Sequence, residues 1–358
     1  EAVARAVWES GVRVAAAYPG TPATEIIESL ARYPDLHAEW SVNEKVSMEV
    51  ALGASMTGAR AFCAMKHVGL NVASDCLMTM TITGAYGGLV IAVADDVGMS
   101  SSQNEQDSRF WGRFAHIPVL EPADSQEAYE MTKYAFALSE QYETPVLLRL
   151  TTRICHVKGL VNAGEREAHE PAGFIKNPQR WVMVPAHAKT RIPGLFQRDD
   201  TLRGVSEVSP LNILEPGTDR RVGFVASGPA YMHVKEAFPD APVLKLGFSY
   251  PWPPEKVRAL AAMCDKLLVV EETEQLLETE IKAAGIACHG KDFLPRIGEL
   301  SPQVLSPAVD RLLGRTPPPE AAPATPMKVF PRPPTLCASC PHMGIYYTLS
   351  QIKNLIVT

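Results

Sequence analysis

Short apolar runs alternate with helix-like stretches along the first part of the chain. Runs bounded by proline, glycine or polar residues are typical of buried strands, and they occur at 12–18, 40–42, 61–65, 88–94 and 145–150. Between them, apolar positions three and four apart predict helices at 1–10, 21–33, 44–56 and 71–83. Because strands that alternate with helices form sheets covered on both faces, the pattern predicts an α/β domain with a parallel sheet.

The same alternation returns in a second, smaller unit. It predicts strands at 221–227, 243–246 and 266–270, and helices at 230–238, 254–263 and 275–284. Residues 159–218 show no clear pattern and are expected to form an irregular connector. Residues 299–334 are predicted to be a semi-rigid linker, because eight of the 30 prolines fall between 317 and 334 and proline disrupts helices and central strands.

Charge and cysteine content exclude some classes of function. The 34 Lys and Arg against 40 Asp and Glu give a net charge of −6, which argues against binding of nucleic acid or a membrane surface through bulk charge. No apolar run reaches the roughly 18 to 20 residues of a membrane-spanning helix. Most of the seven cysteines are isolated among apolar neighbours, as expected in a reducing cytoplasm, whereas Cys337 and Cys340 form a C-x-x-C pair.

Two candidate sites follow the first two predicted strands, where open parallel sheets bind their ligands. The turn at 18–25 leads into a helix and would present backbone N–H groups and hydroxyls to an anion. Glu44 opens the next helix, where the helix dipole favours a carboxylate. Taken singly, each also fits an ordinary helix start.

Two more candidates follow the later strands. The segment 65–71 places a lysine and His67 at a strand end, although a single histidine there is commonly structural. The polar loop 94–109 ends at Arg109, whose guanidinium could bind a carboxylate through two parallel hydrogen bonds. A solvated surface loop is the alternative for this segment.

Together these segments resemble the thiamine diphosphate-dependent 2-oxoacid:ferredoxin oxidoreductases. The turn YPGTPATEI at 18–26 is similar to the opening of that family. Three further strings are similar to its indolepyruvate branch, in the alpha subunit: WSVNEKV at 40–46, MKHVGLNV at 65–72 and SSQNEQDSR at 101–109. The resemblance covers nearly the whole chain.

The resemblance implies a domain order. Residues 1–158 are similar to the family's pyrimidine-binding domain, and residues 219–298 to its transketolase C-terminal-like domain, through VASGPAY at 225–231 and VVEET at 269–273. Residues 335–358 are similar to the start of a truncated diphosphate-binding domain, with PTLCASCPH at 334–342. The Gly-Asp-Gly motif that binds the diphosphate magnesium ion in the family is not present, so the chain alone is expected to be inactive.

The implied reaction is the oxidative decarboxylation of aryl pyruvates such as indolepyruvate to the aryl-acetyl-CoA, through a thiamine diphosphate ylid. Thiamine enzymes place an acid against N1′ of the aminopyrimidine ring, at the head of a helix that carries two glycines at a set spacing. Glu44, followed by Gly53 and Gly58, fits that arrangement. Glu49 is the rival in the same helix, but its spacing to the glycines does not fit.

The resemblance also suggests roles for other residues. Thr21 would hydrogen-bond near the reacting keto group, Arg109 would pair with the substrate carboxylate, and His67 could help to stabilise an oxyanion. Further cofactor contacts would come from Pro22, Gly69 and Asn71.

Cys337 and Cys340 are similar to a pair that holds part of a [4Fe–4S] cluster in the family. A cluster takes four ligands, so the other two would lie beyond Thr358, and a zinc-type or half-formed site is the alternative. The implied partners are the beta subunit, ferredoxin and coenzyme A, in a dimer of heterodimers.

Two other functions stay open. One is a different 2-oxoacid:ferredoxin oxidoreductase, of the pyruvate or 2-oxoglutarate type. The other is a non-catalytic α/β module that binds a metabolite, for which the general sheet pattern and the C-x-x-C pair would suffice.

Overall fold

A computed structural model describes residues 1–318, 335–336 and 338–356. The chain divides into two units, Glu1–Pro317 and Pro318–Thr358, which are described separately. Among the helices of the described residues, none has the length and apolar character needed to cross a membrane.

The larger sheet of the first unit has seven strands in the order β10-β5-β6-β4-β3-β1-β2. Their bounds are β1 Val14–Ala17, β2 His37–Trp40, β3 Ala61–Lys66, β4 Leu89–Asp95, β5 Val119–Leu120, β6 Val146–Thr151 and β10 Phe248–Tyr250. The strands run parallel except β10, which pairs antiparallel with β5. The predicted parallel sheet is therefore confirmed.

Seven helices accompany this sheet along the first half of the chain. They are α1 Ala2–Glu9, α2 Thr24–Leu30, α3 Glu44–Met56, α4 His67–Thr83, α5 Arg109–Ala115, α6 Ser125–Tyr142 and α7 Thr152–His156. The helix predicted at 44–56 is confirmed with the same bounds. At its start, the side chain of Asn43 caps the helix by accepting a hydrogen bond from the backbone N–H of Val46 at 3.0 Å.

The central strands β3, β4 and β6 are buried at every residue. Alternate side chains enter two cores on opposite faces of the sheet. Phe62 and Ala64 pack with α1, α2 and α6, whereas Cys63 and Met65 pack with α3 and α4. Burial on both faces explains why these strands read as continuous apolar runs.

A second sheet of four strands follows in the order β11-β8-β9-β7. Its strands are β7 Asn212–Glu215, β8 Val222–Ser227, β9 Val243–Leu246 and β11 Lys266–Val270, with β7 antiparallel to β9. The helices of this region are α10 Gly228–Ala237, α11 Pro254–Ala261, α12 Leu276–Ala283 and α13 Pro302–Leu312. The strands predicted at 243–246 and 266–270 are confirmed without change.

The expectation of an irregular connector at 159–218 is wrong from residue 178 onward. That part contains α8 Pro178–Trp181, α9 Pro185–Val208 and strand β7. Helix α9 has no clear apolar stripe because arginines make much of its contact with the sheet domain. Arg191 Nε donates to the carbonyl of Ile82 at 2.9 Å, and Arg198 Nη2 donates to that of Thr81 at 2.5 Å.

Two further expectations need correction. Residues 302–312 of the predicted linker form α13, whose buried face includes Leu305 and Val309. Helix α4 begins at His67, four residues before the predicted start, because Gly69 lies within the helix and does not prevent it from forming. Most of the proline-rich segment, 319–334, lies outside the described residues.

The second unit contains α14 His342–Ser350 among its described residues. Just before this helix, Cys340 Sγ lies 3.5 Å from His342 Nδ1. Cys337 lies outside the described residues.

Candidate functional site

The carboxyl ends of β1 and β3 bring two of the predicted segments together. A Cβ atom placed on Gly20, in the turn after β1, would lie 3.3 Å from Cβ of Lys66, the last residue of β3. The Gly20 N–H donates to Thr24 Oγ1 at 3.0 Å, which fixes the turn at the start of α2. Thr21 is exposed at the tip of this turn, so its hydroxyl is accessible to a ligand.

Glu44 lies beside α4, as well as at the head of its own helix. A Cβ atom on Gly69 would lie 2.5 Å from Glu44 Cγ and 2.6 Å from Oε1. Only a glycine at position 69 therefore leaves room for the carboxylate. Glu44 is half-buried, and its side chain makes no hydrogen bond within the described residues. An acid free of protein partners, at a helix N-terminus, is available to a ligand.

The rival acid is in a different environment. Glu49 has a side chain that is 51% exposed, and its carboxylate lies 3.9 Å from Lys45 Nζ. It is therefore a solvated residue on the outer side of α3.

Pro22 and Asn71, two of the predicted cofactor contacts, differ in their surroundings. Asn71 is exposed on α4. Pro22 is buried and lines a cleft of about 930 Å³ whose walls include Ile26 and Ile154. Neither Glu44 nor Lys66 lines that cleft, so it is a separate feature.

The loop after β4 is held in place by Asp96. Its carboxylate accepts hydrogen bonds from the N–H of Ser101 at 2.7 Å, Ser102 Oγ at 2.6 Å and Thr152 Oγ1 at 2.9 Å. Burial acts to raise the pKa of Asp96, but these hydrogen bonds outweigh it and lower the pKa to about 2. The carboxylate is therefore ionised at neutral pH and orders the loop.

His67 holds the same loop from the other side. The N–H of Asp96 donates to Nδ1 at 3.4 Å, so the proton of the neutral ring is on Nε2, which donates to the carbonyl of Asn104 at 3.2 Å. The side chain is buried. The expected role of His67 as an oxyanion donor does not fit this arrangement, because both ring nitrogens are engaged by the loop.

Arg109 is the clearest correction to the predicted site. Its side chain is only 1% exposed, and every nitrogen of the guanidinium donates to protein. Nε binds Asp107 at 2.9 Å, Nη1 binds Glu271 at 2.7 Å, and Nη2 binds Asp107 and two backbone carbonyls. In this structure Arg109 cannot pair with a substrate carboxylate. It joins the end of the loop to the segment between β11 and α12.

A second buried arginine extends this network. Arg149, on β6, donates from Nε to Asp95 at 2.6 Å and from Nη1 to Glu121 at 2.6 Å. Asp95 also accepts from Ser108 Oγ. Burial raises the pKa of Asp95 and of Glu271. Sequence reasoning missed this network because Arg149 lies within an otherwise apolar strand, Asp95 ends another, and most of their partners are far apart in sequence.

The cysteine site is only partly visible. Within the described residues, no group of three or more His, Cys, Asp and Glu side chains could hold a metal ion. Cys340 lies among them, beside His342. The roles of Cys337 and Cys340 stay predictions.

Comparison with known sequences points to one family. Residues 5–195 match the family described as "Pyruvate flavodoxin/ferredoxin oxidoreductase, thiamine diP-bdg". The "Indolepyruvate oxidoreductase subunit IorA" of Methanothermobacter marburgensis is 43% identical to this chain over 371 residues, which cover 99% of this chain and 60% of the relative. The chain thus spans about three fifths of the length of the curated relatives that it matches.

Solved structures share the fold at low sequence identity. The 2-oxoglutarate:ferredoxin oxidoreductase of Magnetococcus marinus superposes with a TM-score of 0.67 at 18% identity, over 87% of this chain and 64% of the other. A split-gene transketolase superposes with a TM-score of 0.56 at 17% identity, over 88% of this chain and 98% of the other. At such identities the likeness concerns the fold, and it agrees with the predicted fold class: a thiamine diphosphate-binding α/β domain followed by a transketolase C-terminal-like domain.

Proposed function

The chain belongs to the pyruvate flavodoxin/ferredoxin oxidoreductase family through its thiamine diphosphate-binding domain, and we propose that it is part of an indolepyruvate:ferredoxin oxidoreductase. The enzyme would convert aryl pyruvates to aryl-acetyl-CoA and pass the electrons to ferredoxin. The choice of aryl pyruvates is supported by the 43% identity to an indolepyruvate oxidoreductase subunit.

The observation that carries this proposal is the half-buried carboxylate of Glu44 in the space left by Gly69. A side chain at position 69 would collide with this acid, so Gly69 keeps the carboxylate in place and leaves it available to an aminopyrimidine ring. When bound, thiamine diphosphate supplies a carbon nucleophile and an electron sink for loss of CO₂ from the 2-oxo acid. Glu44 would hold a proton against N1′ of the ring, and its position at the head of α3 fixes that contact.

The other residues of the site would orient the substrate. Thr21, exposed beside Gly20, would donate a hydrogen bond near the keto oxygen. The loop 96–108, held by Asp96 and His67, would form a wall that limits access of water.

We assign the domains on the same grounds. Residues 1–158 would bind the pyrimidine ring, residues 219–298 would form the transketolase C-terminal-like domain, and residues 335–358 would begin the diphosphate-binding domain. The magnesium ion and the [4Fe–4S] clusters would be held mostly by parts of the longer enzyme that this chain does not span, with Cys337 and Cys340 as two cluster ligands. The partners would be the beta subunit, ferredoxin and coenzyme A, in a dimer of heterodimers. The free thiols of the described residues suit a reducing cytoplasm.

A panel of 2-oxo acids tests the proposed function. In the complete enzyme, with coenzyme A and a viologen dye as acceptor, indolepyruvate and phenylpyruvate are expected to be oxidised with kcat/KM at least about tenfold above that of pyruvate, since a pocket for a large aryl group gains binding from it. Dye reduction is the measurement. Activity with pyruvate or 2-oxoglutarate and none with aryl pyruvates would assign the enzyme to another branch, and no activity with any 2-oxo acid would favour a binding module.

The space beside Glu44 leads to a second test, the substitution Gly69→Ala. The new methyl group would lie 2.5 Å from Cγ of Glu44 and 2.6 Å from Oε1, so this side chain would have to turn away, and the crowding should cost no more than about 3 kcal/mol of stability. The displaced acid should lower kcat/KM by about 10²-fold, as expected for a misplaced catalytic group. Gly204→Ala is the matched control, because Gly204 also lies within a helix, α9, and a Cβ there meets nothing within 4 Å. Equal losses in the two variants would contradict the assignment.

A further inference from the structure

Because Arg109 is buried and paired within the protein, another cation is needed to bind the carboxylate of a 2-oxo acid. That cation should lie near Thr21 and Glu44. Lys66 is in that position: its stem lies along Gly20, next to Thr21, and it precedes Gly69, which contacts Glu44, by three residues.

Lys66 is buried to an unusual degree for a lysine. It is 9% exposed, although lysines rarely lose contact with water unless they are paired. Its Nζ atom makes one hydrogen bond, to the carbonyl of Ser101 at 3.1 Å. An ammonium group has three donors, so two remain for another acceptor.

Among the described residues, the ammonium group also has no anionic partner of its own. Within the part of the chain that the structure describes, no carboxylate oxygen lies within 4.0 Å of Lys66 Nζ. A buried charge without a counterion is costly, since it loses its hydration and gains no opposite charge in return. By contrast, Arg109 and Arg149 are each surrounded by buried carboxylates. The site at Lys66 therefore has an excess of positive charge that an anionic ligand would neutralise.

We propose that Lys66 Nζ binds the carboxylate of the 2-oxo acid substrate. This inference rests on the proposed function and assigns the residue that recognises the acid group. Its neighbour His67 has both ring nitrogens engaged by the loop, so Lys66 is the cation available at this strand end. The stem of Lys66 lies against Gly20, in the turn that contains Thr21, where the keto group would lie.

The test uses the complete enzyme carrying Lys66→Met or Lys66→Arg, with indolepyruvate as substrate and viologen reduction as readout. Loss of the ion pair should raise KM for indolepyruvate by about 100-fold in Lys66→Met, and the arginine variant should recover most of that loss. Inhibition by indoleacetaldehyde, which lacks the carboxylate, should change by no more than about twofold. A lysine that only held the loop would affect the acid and the aldehyde alike.

Lys45→Met is the matched control, because Lys45 lies on α3 with its side chain 42% exposed and is paired with Asp75. This variant should leave both the KM for indolepyruvate and the inhibition constant of indoleacetaldehyde unchanged. If Lys66→Met behaves like this control in an active enzyme, the assignment of Lys66 is wrong while the proposed function stands. A rise in KM for coenzyme A in place of indolepyruvate would assign the ammonium group to a phosphate and overturn the proposal. If the wild-type enzyme oxidises no 2-oxo acid, both proposals fall.

Discussion

Replacing Glu44 by glutamine in the complete enzyme is expected to lower kcat by about 10²- to 10⁴-fold, the range that a positioned acid or base contributes. The amide has nearly the same shape as the acid, but it cannot share an acidic proton with a ring nitrogen. Glu44 makes no side-chain hydrogen bond within the described residues, so the fold should not suffer. Viologen reduction at saturating 2-oxo acid measures the rate, and thermal unfolding checks the fold.

Glu49→Gln is the control for this experiment. It makes the same chemical change in the same helix, at a side chain that is exposed and lies 3.9 Å from Lys45. Its kcat should stay at the wild-type value. Loss of turnover in Glu49→Gln with turnover retained in Glu44→Gln would show that the wrong acid has been chosen.

Replacing Arg109 by methionine is expected to destabilise the protein by about 3 to 5 kcal/mol, the cost of leaving a buried charge without its partner. The substitution keeps much of the side-chain length but leaves Asp107 and Glu271 facing each other without the cation between them. Burial acts to raise the pKa of Asp107, and the charges of Arg109 and Arg149 hold it well below its usual range. Urea unfolding at pH 7 measures the loss.

The pH dependence of that loss gives a second readout. The depressed pKa of Asp107 contributes stability above the unfolded-state pKa of about 4, and this contribution disappears as the pH falls below it. The difference in unfolding free energy between Arg109→Met and the wild type should therefore hold down to about pH 4 and narrow only as the pH falls further. Arg113→Met is the control, because Arg113 is on the same helix with its side chain 50% exposed, and it should cost no more than about 1 kcal/mol. Equal destabilisation by both substitutions would refute the role of Arg109.

The sequence predicts best those elements whose packing is apolar on both faces. Strands β3, β4 and β6 each lie within one residue of the predicted bounds because continuous apolar runs mark them, and helix α3 has the predicted bounds because a capping asparagine marks its start. Helix α9 could not be predicted in this way, since arginines hold it through the carbonyl groups at the end of α4. A contact between a cation and a backbone carbonyl leaves no periodic signal.

The sequence predicts which loops form the candidate site, but it predicts the roles of only some of their residues. The resemblance placed Glu44 and Gly69 in segments that do meet. It could not reveal that Arg109 binds Glu271, a residue 162 positions away. Burial also distinguishes Lys66 from other lysines, and burial depends on the packing of the Gly20 turn and the loop at Ser101.

Strand β10 has a consequence for how the two halves of the first unit depend on each other. It comes from the later segment, yet it pairs with β5, a strand of two residues that would otherwise form the open edge of the larger sheet. Unpaired edges are sites where chains add to one another and aggregate. The later segment thus protects the earlier one from self-association. A version of the protein divided near residue 218 would leave β5 as an open edge and should aggregate more readily than the undivided chain.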